Sequence, residues 1–206
     1  MLAFVFSRWR ESFRLPRFNQ LFFGGILVLG TCIYFFADFL EFIQNRKGFV
    51  INDPLIIRVG PYHLCTPIML FTYIPAGVGL IYFAVFPNHF NRLLWAFSFL
   101  LVLRGVCMFF VPLAPPHTMI ELRDLFLELS VYRGKVITQD LFFSGHVAAL
   151  FLFGFIAHHK VVKLAFALAG LAVGSMLVLQ HAHYTIDVLV APVFALFAVR
   201  LSRQLF

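Results

Sequence analysis

Residues 141–157, LFFSGHVAALFLFGFIA, and residues 161–179, VVKLAFALAGLAVGSMLVL, are two apolar stretches separated only by His158, His159 and Lys160. Stretches of this length and composition are typical of helices that cross a bilayer, which need ~20 mostly apolar residues. Because the connection between them is so short, they predict a tight helical hairpin in a membrane. The hairpin indicates the fold class, an all-α polytopic membrane protein.

Four further apolar stretches complete a predicted bundle of six transmembrane helices. The composition agrees, because 62% of the residues are hydrophobic, 12% are charged, and 29 are phenylalanine. A soluble domain carries about 25% charged residues. The six predicted spans are Leu21–Ile43, Pro67–Phe86, Leu93–Leu113, Leu141–Ala157, Val161–Leu179 and Tyr184–Leu201.

The formal net charge of +7 does not indicate nucleic-acid binding, since the basic residues form short clusters between apolar stretches. Their expected partner is the anionic headgroup of lipids. The three cysteines, Cys32, Cys65 and Cys107, form no spaced motif, so we predict neither disulfides nor a metal site. No cofactor is expected.

Residues 1–20 form a basic segment before the first span, and residues 21–206 form the predicted catalytic domain. Leu2, Phe6, Trp9 and Phe13 recur at helical spacing between arginines, which favours a short helix lying in the membrane interface. A frayed basic tail is the alternative.

The distribution of Lys and Arg predicts that both termini are cytoplasmic. With the N-terminus inside, the inner segments hold Arg8, Arg10, Arg14, Arg17, Arg92, Lys160, Lys163, Arg200 and Arg203. The outer segments hold Arg46, Lys47, Arg58, Arg123, Arg133 and Lys135.

His183 and Asp187 are four residues apart at the start of the last predicted span. On a helix this spacing puts both on one face, where the carboxylate fixes one imidazole nitrogen and leaves the other free as a nucleophile or base. A buried pair that only tethers helices is the alternative.

Ser144, Gly145 and His146 begin the fourth predicted span. Ser144 suits a helix N-cap, and the free N–H groups of a helix N-terminus form a ready phosphate site. His146 could protonate a departing alkoxide. A helix start that merely contains a histidine is the alternative for this tripeptide alone.

The two motifs are expected at the same end of the bundle, because two spans lie between them. Arg104, in the second half of the third span, is expected there too and could clamp phosphate oxygens; an arginine that reaches toward interfacial water is its alternative. Two histidines and an aspartate are sufficient for covalent phosphoryl transfer without a metal.

The motifs resemble those of the sphingomyelin synthase branch of the type-2 phosphatidic acid phosphatase (PAP2) superfamily. The segment 140–146, DLFFSGH, is similar to that branch's G-D-x-x-x-S-G-H-T motif, and 183–188, HYTIDV, matches H-Y-T-x-D-V throughout. The segment 104–116, RGVCMFFVPLAPP, is in register with its arginine-led motif. The resemblance covers roughly residues 60–200.

The resemblance implies that His183 is the nucleophile, Asp187 its orienting partner and His146 the acid and base for the leaving group. It implies a substrate-binding role for the remaining matched positions, which are Arg104, Asp140, Ser144, Gly145 and Tyr184. The implied reaction transfers a phospho-headgroup from a phospholipid donor, through a phosphohistidine, to a lipid hydroxyl such as that of ceramide. The site would face the periplasm, the exterior or a lumen, and the short chain favours a bacterial inner membrane.

Departures from the branch's motifs leave the headgroup and the acceptor open. Val147 replaces the motif threonine, and Gln139 stands where a glycine would precede Asp140. The ordinary phosphatase branch fits less well, because its K-x6-R-P element is absent and no Ser-Arg pair precedes His183 at the usual distance.

Other polar residues near the motifs have open roles. Asp140 could tune His146 or bind a headgroup amine, and Glu121 and Glu128 could contact a cationic headgroup, although a solvated loop is favoured for these two. Three functions remain: a lipid phosphotransferase, a lipid phosphatase that uses water as acceptor, and a non-catalytic lipid binder or transporter. A transporter would need broken helices, and only Pro75 with its nearby glycines suggests one.

Overall fold

A computed structural model describes residues 2–132 and 134–206 of the chain. Arg133, one of the basic residues predicted for the outer side, lies outside the described residues, as do Met1 and the side chain of Leu2. The described part is all-helical apart from loops and one isolated bridge between Phe49 and Leu113.

Eight α-helices follow one another along the described part of the chain. They are α1 (Leu2–Ser12), α2 (Pro16–Gln44), α3 (Cys65–Ala84), α4 (Pro87–Phe110), α5 (Leu125–Ser130), α6 (Gly145–Ile156), α7 (Lys160–Leu179) and α8 (Thr185–Arg203). Proline occupies the first turn of both α2 and α4, where its missing N–H costs nothing, and both helices begin earlier than the apolar stretches predict.

Five of these helices, α2, α3, α4, α7 and α8, are long and apolar enough to cross a membrane. Their outward faces are apolar and exposed, as at Leu27, Ile81 and Val193, and the chain is an integral membrane protein. The fourth predicted span, Leu141–Ala157, is not confirmed as a helix that crosses the membrane. Its helix, α6, has 12 residues and is ~18 Å long, against a hydrocarbon thickness of ~30 Å. The span was expected to begin at Leu141, but the helix begins at Gly145 after its N-cap Ser144.

The short helix α6 lies at the centre of the bundle and packs against α7, α8 and α4. Ala191, Ala195 and Ala198 on α8 are fully buried. Their small side chains let the backbones of neighbouring helices approach closely. Gly170 and Gly174 on α7 have the same function, as their small-xxx-small spacing predicts. A Cβ on Gly174 would lie 2.6 Å from Val188 of α8 and 3.5 Å from Val147 of α6.

The N-terminal segment is helical over Leu2–Ser12, so a frayed tail is excluded for these residues. Trp9 fixes α1 to the bundle by donating from its indole to the carbonyl of Ala84 at 2.7 Å and by edge contacts with Phe22 and Phe90. The helix therefore lies beside the C-terminal end of α3, at the end of the bundle opposite to the one where α6 and α8 begin.

Candidate active site

The N-terminus of α6 presents unbonded polar groups. Ser144 is fully buried, and its Oγ has no hydrogen-bond partner among the described residues. Its amide donates to the carbonyl of Asp187 at 3.1 Å and thereby joins the start of α6 to the first turn of α8. The next three amides, of residues 145–147, find no acceptor in the described part of the chain, as expected for a helix start. The arrangement suits an anion.

His146, in the first turn of α6, is held by a carboxylate that the sequence analysis missed. Its Nε2 lies 2.8 Å from Oδ2 of Asp124, a residue that is 2% exposed and caps α5 by accepting from the amide of Leu127. Tyr73 of α3 donates its hydroxyl to the same carboxylate at 2.7 Å. Burial opposes ionisation of Asp124, but its hydrogen bonds from His146 and Leu127 outweigh burial and lower its pKa.

His183 and Asp187 are in contact, with Nδ1 and Oδ2 3.2 Å apart and both side chains buried. The contact does not come from two positions on one helix face, because α8 begins only at Thr185. Asp187 instead folds back over the start of α8, where its Oδ2 also accepts from the amide of Tyr184 at 3.2 Å. Its Oδ1 has no partner among the described residues. The bond at Nδ1 leaves Nε2 of His183 free.

Arg104 and Asp140 pair with each other. Nη2 of Arg104 donates to Oδ1 of Asp140 at 2.6 Å, and its Nε donates to the carbonyl of Phe143 at 3.0 Å. Tyr132 donates to the other oxygen of Asp140 at 2.8 Å. Burial raises the pKa of Asp140, but the charge of Arg104 and these hydrogen bonds lower it by more, so the pKa lies below its usual value. Asp140 therefore pairs with Arg104 and Tyr132, and among the described residues no hydrogen bond joins it to His146.

Gly145 makes room for the guanidinium of Arg104. A Cβ at Gly145 would lie 2.8 Å from both Cζ and Nη1 of Arg104. That Nη1 makes no hydrogen bond within the described residues. The cation predicted to bind phosphate thus lies against the start of α6 with one nitrogen unused.

His146, His183 and Asp140 all line one small cavity, together with Asp124 and Tyr132. Residues of the segment that carries α5, among them Leu122, Asp124 and Tyr132, form part of the cavity wall, and the volume of the cavity is about 40 Å³, enough for a few water molecules. The structure therefore brings together the two histidines that the spacing of the spans places at one end.

Other predicted residues lie away from this cavity. Tyr184 donates its hydroxyl to the carbonyl of Ala114 at 2.8 Å and so anchors the loop after α4. Glu128 pairs with Arg123 at 2.8 Å, and Glu121 is exposed and does not line the cavity. Among residues 2–132 and 134–206, no group of three or more His, Cys, Asp or Glu side chains is placed to hold a metal ion.

The C-terminal third of this bundle matches a known family. Residues 139–204 match the family model "PAP2 superfamily C-terminal". This match supports membership of the PAP2 superfamily. It spans α6 to α8 and includes Asp140, His146, His183 and Asp187, whereas Arg104 and Asp124 lie outside it. Neither the curated proteins nor the solved structures contain a match to the chain.

Members of the PAP2 superfamily are typically phosphatases or phosphotransferases, so the match supports an enzyme of this general type acting on lipids. It does not distinguish the sphingomyelin synthase branch from the phosphatases. The carboxylate that holds His146 escaped the sequence analysis because Asp124 lies 22 residues before its partner. Its only local signal is its position three residues before Leu127 in a polar loop, which is typical of a helix N-cap.

Proposed function

We propose that the protein is a lipid phosphotransferase, which moves a phospho-headgroup from a phospholipid to a lipid hydroxyl of the ceramide or diacylglycerol type. The observation that carries the proposal is the pair of histidines at one cavity, each held by its own carboxylate, His183 by Asp187 and His146 by Asp124. One histidine can then act as nucleophile while the other transfers protons.

His183 is the nucleophile in this scheme. With its proton on Nδ1 directed at Asp187, its neutral Nε2 attacks the phosphorus of the donor, and the bond from phosphorus to the leaving alcohol oxygen breaks. Protonated His146 gives its proton to that oxygen. Asp187 stabilises the positive charge that the ring of His183 acquires.

The second half of the reaction reverses these roles. His146, now neutral, takes the proton from the hydroxyl of the acceptor lipid, whose oxygen attacks phosphorus and breaks the bond to Nε2 of His183. The new phospholipid leaves, and both histidines return to their starting protonation states. Nδ1 of His146 is the nitrogen available for these transfers, because Asp124 holds Nε2.

The charge of the transferred group is stabilised at the start of α6. The unbonded amides of residues 145–147, the buried Oγ of Ser144 and the unused Nη1 of Arg104 are grouped there. Such donors, fixed before substrate binds, act on the charge that develops on the phosphate oxygens. Arg104 keeps its place through Asp140, so Asp140 is a positioning residue in this scheme.

Access for a lipid requires the loop with α5 to move, since a cavity of about 40 Å³ cannot hold a phospho-headgroup. Transfer to a lipid then requires this loop to exclude water from the phosphohistidine once the acceptor lipid is bound. The second candidate function is a lipid phosphatase, in which one of the few waters that fit the cavity hydrolyses the phosphohistidine. We propose that the site faces the periplasm, the exterior or a lumen, in keeping with the lysine and arginine distribution.

The test is turnover of headgroup-labelled phospholipid by the purified protein in liposomes, with and without diacylglycerol or ceramide. Label that appears in a new lipid only when acceptor is present supports transfer, and soluble phosphate or headgroup released without acceptor supports the phosphatase. His183→Gln should lower either turnover by at least about a thousandfold and abolish acid-labile labelling of the protein. Retained turnover in a folded His183→Gln protein contradicts the mechanism; His159→Gln, at the opposite end of the bundle, is the control.

A further inference from the structure

The end of the bundle opposite to the candidate active site is strongly cationic. Among the described residues at this end, Glu11 is the only acidic residue. Its basic residues are Arg8, Arg10, Arg14, Arg17, Arg92, Lys160, Lys163, Arg200 and Arg203. Such an excess agrees with a cytoplasmic face, and it does not by itself indicate a binding site.

Three of these cations lie at the mouth of an apolar groove between α7 and α8. Both helices pack on α6 but make few contacts with each other, so the surface of α6 forms the floor of a groove between them. The groove at this end has a volume of about 510 Å³, within the usual range of small-molecule clefts. It is lined by Phe151, Gly154, Phe155, Lys160, Lys163, Leu164, Ala167, Leu196 and Arg203; we call it the cationic groove.

The cations of this groove are unpaired. The side chains of Lys160, Lys163 and Arg203 are exposed and make no ion pair or hydrogen bond within the described residues. No acidic residue lines the groove. Lys160 and Lys163 lie in the first turn of α7, where the positive end of the helix dipole makes a cation unfavourable and an anion favourable.

We propose that the cationic groove binds an anionic phospholipid of the leaflet on that side, which is separate from any substrate at the candidate active site. The phosphate lies among Lys160, Lys163 and Arg203, and one acyl chain lies in the apolar part of the groove along Phe151, Ala167 and Leu196. The three cations match an anionic headgroup, and the apolar floor matches an acyl chain. A phospholipid therefore fits both parts of the groove, whereas a free phosphate fits only its mouth.

Binding is measured on the full chain in non-ionic detergent by native mass spectrometry, with dioleoyl phosphatidylglycerol and dioleoyl phosphatidylcholine as probes. The wild-type protein should retain phosphatidylglycerol in preference. The triple substitution Lys160→Gln, Lys163→Gln and Arg203→Gln should weaken phosphatidylglycerol binding by about tenfold or more, since each cation near a lipid surface contributes to the attraction.

A matched triple substitution removes the same charge from the same end of the bundle but outside the groove. Arg10, Arg14 and Arg200 are exposed and do not line it, so changing these three to Gln should leave phosphatidylglycerol binding within about twofold of wild type if attraction is confined to the groove. Equal losses in the two triple variants would show diffuse attraction and overturn the proposal.

The Ala167→Trp variant tests whether the bound ligand places an acyl chain in the groove or only a headgroup at its mouth. The indole would fill the apolar part of the groove and leave the three cations in place, so retention of phosphatidylglycerol should fall. Unchanged retention in a variant that unfolds at the wild-type temperature would rule out the acyl-chain contact. Equal retention of phosphatidylcholine and phosphatidylglycerol by the wild-type protein would rule out an anion site.

Discussion

The two histidines of the candidate active site depend on carboxylates from different parts of the chain. Asp187 lies four residues after His183, while Asp124 reaches His146 from the loop between α4 and α6. A carboxylate that fixes one imidazole nitrogen leaves the other correctly protonated for its task. In His183 the nitrogen left free is Nε2, and in His146 it is Nδ1. The two histidines can therefore serve as nucleophile and as proton donor at the same cavity.

Asp124→Asn tests the orienting role of this carboxylate. An amide can hold the ring of His146 but cannot stabilise its positive charge, so kcat should fall by roughly a hundredfold with little change in KM. Asp124→Glu should restore part of kcat, which a purely structural role would not predict. Glu121→Gln, in the same loop but exposed, is the control, and an equal fall in that variant would contradict the assignment.

Gly145→Ala tests the contact between α6 and Arg104. The added Cβ would lie 2.8 Å from a guanidinium that is held by Phe143 and Asp140. Displacing it should reduce turnover and lower the free energy of unfolding by about 1–3 kcal/mol. Gly77→Ala is the control, since nothing lies within 4 Å of its added Cβ. The unfolding temperatures of both variants in detergent provide the measurement.

At the scale of elements, the start of α8 is stabilised from outside its own sequence. Asp53, in the loop between α2 and α3, accepts from the amide of Thr185 at 2.7 Å and from its hydroxyl at 3.1 Å. This carboxylate satisfies a helix-terminal N–H that α8 cannot satisfy itself. The loop after α2 thus fixes the helix whose first turn carries Asp187.

Asp53→Ala should therefore destabilise α8 at its N-terminus, by about 0.5–2 kcal/mol as for other lost caps. The measurement is amide hydrogen exchange of residues 185–189 together with the unfolding temperature. Within α8, faster exchange is expected only in this turn, because the rest of the helix packs against α6 and α4; the amides of Leu55 and Ile56, which also donate to Asp53, should exchange faster too. Exchange that stays at the wild-type rate there would contradict the role of Asp53.

For the whole molecule, three buried or half-buried aspartates outside the spans link stability to pH. The pKa values of Asp53, Asp124 and Asp140 all lie below their ordinary value of 3.8, since hydrogen bonds and, for Asp140, the charge of Arg104 outweigh burial. Unfolding in acid therefore takes up protons. The stability from these groups is fully present above about pH 4 and is lost as pH falls through the lowered values.

Thermal unfolding is measured in non-ionic detergent as a function of pH. The three carboxylates should not change the unfolding temperature between pH 7 and about pH 5, and they should reduce it below about pH 4. Asp124→Asn should be less stable at pH 7 and should lose less on acidification, because it lacks one of the three groups. A variant that loses as much as the wild type would show that Asp124 does not contribute to the linkage.

The sequence by itself determined that the chain is an all-helical membrane protein with two histidine motifs at one end. Apolar stretches of bilayer length and the even number of helices between the motifs decide this, because both depend only on order along the chain. The tertiary structure decided the length of α6, the pairing of Arg104 with Asp140, and the contact between Asp124 and His146. These depend on how loops fold over the bundle, and a loop of polar residues carries no periodicity that fixes where its side chains come to lie.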